Sequence, residues 1–318
     1  MMWALGAIAV VALVLGVYLS MTLSRNGPYL LSAVDRVTGG DRGAVELAEV
    51  STGDHPSQKL HIWGPEEPEA DGEQRPVLVF VHGGGWRSGD AGGYGYFGRA
   101  FVPEGFVVVL AGYRLGPDGI YPGMLEDTAS AIAWTHANIA EHGGDPERIV
   151  IAGHSAGAYN VVQVALEDRW LAAHGLSPAD ISGVIGIAGP YDFAPFDSDS
   201  TIAAFGHVED AASTQPINFA RADAPQMLLI NGEKDTLVGA RNSRVLAAAL
   251  QDVGGHALTI LPEEMSHNDP IIQLASPWRN NNGYADAVIG FAQAVTAPEP
   301  TLSTQSDEPS VPVQAGER

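Results

Sequence analysis

Ser155 stands in the run Gly153-His154-Ser155-Ala156-Gly157, between an apolar β-branched stretch (Ile149, Val150, Ile151) and a segment of helical composition. A serine hydroxyl is a weak nucleophile until a base takes its proton. A tight strand-to-helix turn lifts the hydroxyl out of the chain, and glycine at both flanks leaves room where a Cβ would strike neighbouring backbone. The chemistry expected of such a serine is attack on a carbonyl. That attack builds negative charge on the carbonyl oxygen, and one preorganised N–H donor stabilises it by roughly 3–4 kcal/mol. His82-Gly83-Gly84-Gly85-Trp86 directly follows an apolar run ending at Val81 and exposes amides of this kind. The N–H groups of Gly84, Gly85 and Ala156 are assigned to the oxyanion hole. His82 is assigned to supporting the loop by hydrogen bonding. The glycine run lacks the Gly-Lys-Ser/Thr of a phosphate cradle and the glycine spacing of a dinucleotide site.

These groups need a rigid sheet to hold them. Residues 45–63 alternate loosely between apolar and polar around a Ser-Thr-Gly-Asp turn signal at 51–54, which predicts an antiparallel hairpin at a sheet edge. Continuous apolar runs at 76–81, 106–110, 149–152, 181–187, 227–230 and 258–261 predict further strands. Helical patterns fall between them at about 124–142, 157–173, 239–253 and 284–296. Fully apolar strands alternating with helices predict a mostly parallel central sheet with helices on both faces. The expected division is an anchor at 1–24, a linker with a short amphipathic piece at 25–44, one α/β domain at 45–296 and a Pro/Ser/Glu/Gln-rich disordered tail at 297–318.

Met2 to Leu23 carries no charged side chain, and that length suits a single transmembrane helix. No basic residue precedes the apolar run and no Ala-x-Ala follows, so an uncleaved membrane anchor is expected rather than a signal peptide. Arg25, Arg36 and Arg42 follow the segment, which tilts the expected orientation towards a cytoplasmic catalytic domain. The chain has 38 acidic against 16 basic residues, a formal net charge of -22. A surface of that sign repels nucleic-acid phosphates, so no nucleic-acid partner is expected. With no cysteine in the chain, disulfides, thiolate metal sites and a cysteine nucleophile are excluded.

The strand, Gly-x-Ser-x-Gly turn and helix together are the nucleophile elbow of the α/β-hydrolases, whose triad runs serine, acid, histidine along the chain. Asn231-Gly232-Glu233-Lys234-Asp235 follows a late strand, and Asp235 is taken as the acid, with Glu233 the runner-up and Asp192 a more distant third. Ser266-His267-Asn268 follows the last strand, and His267 is taken as the base. His154, inside the elbow, is expected to point away from the cleft and pack. The chain resembles the α/β-hydrolase superfamily over roughly 45–296, and more narrowly the carboxylesterases with a His-Gly-Gly-x-Trp loop: the hormone-sensitive-lipase-like branch and the kynurenine-formamidase- or feruloyl-esterase-like branch. Tyr113-Arg114-Leu115, Glu126-Asp127 and Gly189-Pro190-Tyr191-Asp192-Phe193 carry the resemblance alongside the three motifs above, the last of them favouring the second branch.

The resemblance implies a serine hydrolase acting on small-molecule esters through an acyl-serine, with no metal or organic cofactor. An amidohydrolase of arylformamidase or peptidase type would use the same triad, and a non-catalytic binding protein would share only the fold. Gly92-Gly93-Tyr94-Gly95-Tyr96-Phe97 is open to two readings, a pocket wall or lid and packing beneath the loop. Residues 191–221, with Phe193, Phe196, Phe205 and Phe219, are expected to cap the cleft. Small to medium uncharged esters are the expected substrates.

Overall fold

Each of the apolar runs forms a strand, and all join one sheet. The computed structural model describes residues 27–40, 42–67, 72–280 and 283–298. The strands are β1 (Ala44–Ser51), β2 (Lys59–Pro65), β3 (Arg75–Val81), β4 (Val107–Ala111), β5 (Gly144–His154), β6 (Gly183–Ile187), β7 (Met227–Ile230) and β8 (Ala257–Ile260). They lie in the order β1-β2-β4-β3-β5-β6-β7-β8. β1, β2 and β4 pair antiparallel, which is the predicted edge hairpin. From β4 through β8 the pairing is parallel.

The side chains of β3 explain why its sequence is apolar throughout. Val77, Val79 and Val81 enter one core, while Leu78 and Phe80 enter the other. Successive strand residues point to opposite faces, so a strand covered on both sides has no polar register. The first core receives α3 (Gly123–Asn138), α4 (Ala156–Leu166) and α7 (Arg241–Asp252), through Ile132, Val161 and Leu246 among others. The second receives α2 (Gly95–Phe101) and α9 (Tyr284–Val295), through Phe97, Phe101 and Val288. Short helices α5 (Arg169–Ala172), α6 (Asp199–Phe205) and α8 (Asp269–Ile272) complete the chain. Tyr94, Tyr96 and Phe97 are buried beside Phe80, so the glycine-aromatic run packs beneath the sheet's loops and does not form a lid.

Arg114 and Asp127, noted as a family signature, form a clamp. Arg114 Nε and Nη2 donate to the buried Asp127 carboxylate at 2.8–3.0 Å, and the Arg114 amide adds a bond of 2.8 Å. This fixes the loop after β4 to the start of α3.

Residues 27–40 depart from the expected linker: 27–35, here α1, are helical and dock against the domain. Asp35 is fully buried and accepts from Arg99 Nε on α2 at 2.5 Å, from Arg279 Nη2 at 3.1 Å and from the Ser276 amide at 2.7 Å. Arg99 also donates to the Ser32 carbonyl and hydroxyl, at 2.8 and 2.7 Å. Tyr29 donates to Asp90 at 2.7 Å. The amphipathic piece seen in the sequence is thus part of the domain. Among the described residues no helix is long and apolar enough to cross a membrane. The anchor expected at 2–23 lies outside the described residues, as do residues 299–318 of the expected tail.

Removing one partner of a buried ionic cluster leaves the others charged and uncompensated, at a cost of about 3–5 kcal/mol. Asp35→Ala strands two guanidinium groups in the interior and should lower the unfolding free energy by about that much. Urea denaturation checks this, and a loss under about 1 kcal/mol would show that α1 docks without help from the ion cluster.

Candidate active site

The elbow is built by absence of side chains. A Cβ on Gly153 would lie 2.3 Å from the Gly157 carbonyl oxygen, and one on Gly157 would lie 2.2 Å from the Val81 oxygen and 2.5 Å from the His82 oxygen. Real Cβ atoms do not approach so closely, and these contacts are to backbone, which cannot yield. The glycines therefore let β5, the start of α4 and the end of β3 press together at one point. Ser155, between them, takes φ 54° and ψ −119°, a strained conformation for a residue with a side chain. Its amide is held by the Ile187 carbonyl at 2.8 Å.

Ser155, Asp235 and His267, separated by up to 112 residues, meet in one hydrogen-bonded line. Ser155 Oγ lies 2.9 Å from His267 Nε2, and His267 Nδ1 lies 2.7 Å from Asp235 Oδ2. The loops after β7 and β8 are stitched by backbone bonds, from the Glu233 amide to the Pro262 carbonyl and from the Lys234 amide to the Met265 carbonyl, each 3.0 Å. Asp235 and His267 thus ride on one joined unit. The remaining acceptor sites of Asp235 are filled by the Leu237 and Val238 amides at 2.8 and 2.9 Å and by Asn231 Nδ2 at 3.1 Å. Burial pushes the Asp235 carboxyl up, but the bonds from His267 and from the Val238 and Leu237 amides outweigh it and hold the group below its ordinary range. Asn231 escaped the sequence reading, since a lone Asn after a strand looks like turn chemistry. The other acid candidates are engaged elsewhere: Glu233 pairs with Arg244, and Asp192 with Arg241 at 2.6 Å.

Gly84 has φ 127°, and its carbonyl accepts from the Arg87 and Ser88 amides at 3.2 Å, which closes the loop on itself. The Gly84 and Gly85 amides meet no acceptor among the described residues. Ala156 opens α4, where the first amides have no partner within the helix. These are the three amides that the sequence assigns to an oxyanion hole. His82 supports the loop from behind: it is buried between Tyr113 and Tyr94, with ring centroids 4.8 and 6.1 Å away, and its Nδ1 donates to the Gly83 carbonyl at 2.7 Å. Burial lowers its pKa and keeps it neutral.

The stretch 191–221 packs over the loop, as expected of a cap. Phe193, Phe196 and Phe205 stack on one another, and Phe193 and Phe205 stack on Trp86 and Tyr159 as well. A Cβ on Gly85 would lie 3.2 Å from Ser200 Cβ on α6, so this stretch sits directly on Gly85. Among the described residues, Glu46, Glu49 and His61 have metal-ligand spacing. They lie on the edge hairpin, where His61 bonds Glu46 at 2.7 Å and Lys59 bonds Glu49 at 2.5 Å, so their charges are already engaged.

The BD-FAE profile matches residues 62–250, more than half of the chain. The chain belongs to the BD-FAE family. The matched stretch holds the oxyanion loop, Ser155 and Asp235, with His267 just beyond it. Among similar curated proteins, esterase LipQ of Mycobacterium tuberculosis is 30% identical over 249 residues, covering 73% of this chain and 58% of that protein. Isoprenylcysteine alpha-carbonyl methylesterase ICME of Arabidopsis thaliana is 26% identical over 243 residues, covering 70% and 56%. The BD-FAE chain thus spans a little over half the length of these relatives. Among solved structures, a truncated carbohydrate esterase from gut microbiota superposes with TM-score 0.68 at 19% identity, covering 81% of this chain and 97% of its own. A butyrate-bound thermophilic esterase of Thermogutta terrifontis gives TM-score 0.65 at 21% identity, covering 81% and 96%. At such identities the likeness speaks for the fold, and the fold is that of the α/β-hydrolases.

His154 is buried beside His267, and its burial, followed by the positive charge of His267, pushes its pKa down to about 3. An unfolded histidine takes up its proton near pH 6.5. Between those values the unfolded chain binds the proton and the folded chain does not, so stability falls as pH drops. Between pH ~6 and ~4 the protein should therefore lose up to about 1.4 kcal/mol per pH unit more than its His154→Gln variant. Urea denaturation at several pH values measures this, and parallel curves would contradict it.

Proposed function

We propose that this BD-FAE protein is a serine hydrolase that cleaves carboxylic esters through an acyl-serine intermediate. The observation that carries the reading is the line from Ser155 Oγ through His267 to Asp235, at 2.9 and 2.7 Å, and it is supported by the Gly84 and Gly85 amides, which meet no acceptor among the described residues. In the proposed reaction Ser155 Oγ attacks the ester carbonyl carbon and passes its proton to His267 Nε2. Asp235 Oδ2 keeps the Nδ1 proton in place and stabilises the imidazolium. The tetrahedral oxygen takes hydrogen bonds from Gly84, Gly85 and Ala156. Collapse expels the alcohol, which leaves with the proton from Nε2. A water then gives its proton to His267 and attacks the acyl-serine, and the carboxylic acid departs as Ser155 recovers its hydrogen.

The names of the relatives, an esterase and a methylesterase, support an ester over an amide. The close seat of α6 on Gly85 and the aromatic stack around Trp86 support small to medium acyl groups. The absence of charge over Met2–Leu23 supports keeping that segment as a membrane anchor, and Arg25, Arg36 and Arg42 after it support the cytoplasmic side for the domain.

With p-nitrophenyl acetate, Ser155→Ala should lower kcat by about 10⁴-fold or more with folding intact by circular dichroism. A loss under tenfold would reject the assignment. Across p-nitrophenyl esters, kcat/KM should peak at acetate to butyrate, and preference for palmitate would contradict the proposed size limit. A fluorophosphonate probe should label Ser155, whereas a non-catalytic binding protein would stay unlabelled.

A further inference from the structure

The side chain of His154, inside the elbow, has no part in the proposed reaction, yet it touches two loops of the site. Its Nε2 lies 3.1 Å from the carbonyl oxygen of His267. A carbonyl only accepts, so the imidazole carries its hydrogen on Nε2 and donates. The rings of His154 and His267 lie 4.9 Å apart at 47°. On its other edge, Nδ1 would be 2.9 Å from a Cβ on Gly83, and the His154 carbonyl oxygen would be 2.8 Å from it. Gly83 is the first glycine of the oxyanion loop, and it stayed outside the predicted hole. A single imidazole therefore fills the gap between the end of β5, the loop after β3 and the loop after β8.

We infer that His154 is a positioning residue for the base: its Nε2–H holds the backbone of His267 so that the imidazole of His267 stays within proton-transfer distance of Ser155. The His267 loop reaches over from β8, three strands away from β5 in the sheet order. Within the loop, the Ser266 amide and hydroxyl both donate to Asp269, each at 2.6 Å, which shapes the turn but ties it only to itself. Asp235 fixes the Nδ1 edge of the ring. The contact from His154 fixes the main chain at the same residue, directly from the strand that carries the nucleophile. A neutral donor suits this place, since a fixed positive charge beside His267 would oppose the imidazolium formed during attack. A displacement of about 1 Å in a catalytic group costs on the order of 10²-fold in rate.

This inference rests on the ester-hydrolase reading, and Ser155→Ala separates the two. The experiment compares wild type, His154→Met and His154→Gln on p-nitrophenyl acetate, with melting temperature and the rate of fluorophosphonate labelling measured on each. Met fills space without a donor, whereas the Gln amide can donate from about the position of Nε2. His154→Met should lower kcat by about 10–100-fold with KM within about threefold, and slow labelling by a similar factor. His154→Gln should recover kcat to within about threefold of wild type. If both variants retain wild-type kcat, or if both lose it equally while Gln keeps the native melting temperature, the positioning role is wrong. If Ser155→Ala itself remains active, the underlying reading fails instead.

Discussion

Three stretches of backbone meet at the elbow with no side chain between them, and the rest of the site depends on that contact. Gly153 faces the Gly157 carbonyl, and Gly157 faces the carbonyls of Val81 and His82. The distances leave no room for even one methyl group at either glycine. Because the end of β3 is pressed against the start of α4, the oxyanion loop and the amide of Ala156 come to the same side of Ser155. The strained backbone of Ser155 costs of order 1–3 kcal/mol. It is offset by α4, whose residues from Ala156 to Leu166 are all buried. At roughly 25 cal/mol per Å² of apolar area, burying a few valine or leucine side chains exceeds that strain. The conformation is thus maintained by the helix it introduces.

A second dependence runs between the acid and the base. Neither Asp235 nor His267 sits on a regular element, and loops of their length are ordinarily mobile. Here two backbone bonds join the loops, and Gly232 lies so close to Met265 that a Cβ would be 2.0 Å from its carbonyl oxygen. Asp235 spends its oxygens on two amides, an asparagine and the histidine, so its carboxylate has little freedom to turn. In the proposed reaction, holding these groups fixed before the substrate arrives removes reorganisation from the chemical step, which is where preorganised sites gain most of their advantage.

The parts legible in the sequence were those whose signal is local. Apolar runs of four to eight residues betrayed the strands because a sheet covered on both faces admits no polar alternation. The tight turn at Ser155 showed itself because the steric need for glycine at two fixed positions leaves a fixed pattern. Helices α2, α6 and α8 were missed, and α1 was read only as a short amphipathic piece of a linker. Every residue of α2 is buried, including Arg99, so it has no polar face and no helical period. Two of its seven residues are glycine, against which Trp63 is packed. Asp35, in α1, reads as one more surface acid until Arg99 and Arg279, 64 and 244 residues away, are brought to it. Asn231 and His154 likewise acquire their partners only on folding.

The ion pairs divide along the same line between interior and surface. The chain carries a net charge of -22, and its exposed pairs, such as Lys59 with Glu49, add little stability. The interior instead encloses Asp35 with Arg99 and Arg279, and sets Arg114 on the buried Asp127, each carboxylate bonded by more than one donor. Ions so enclosed specify geometry more than they add stability, because their desolvation consumes most of the attraction. Both clusters bind a segment next to the site. One fixes α1 to the chain that follows the His267 loop, and the other fixes the turn after β4, whose Tyr113 hydroxyl donates to the His82 carbonyl at 3.1 Å. Three of the basic residues of this acidic protein, Arg99, Arg114 and Arg279, therefore hold segments beside the site from behind.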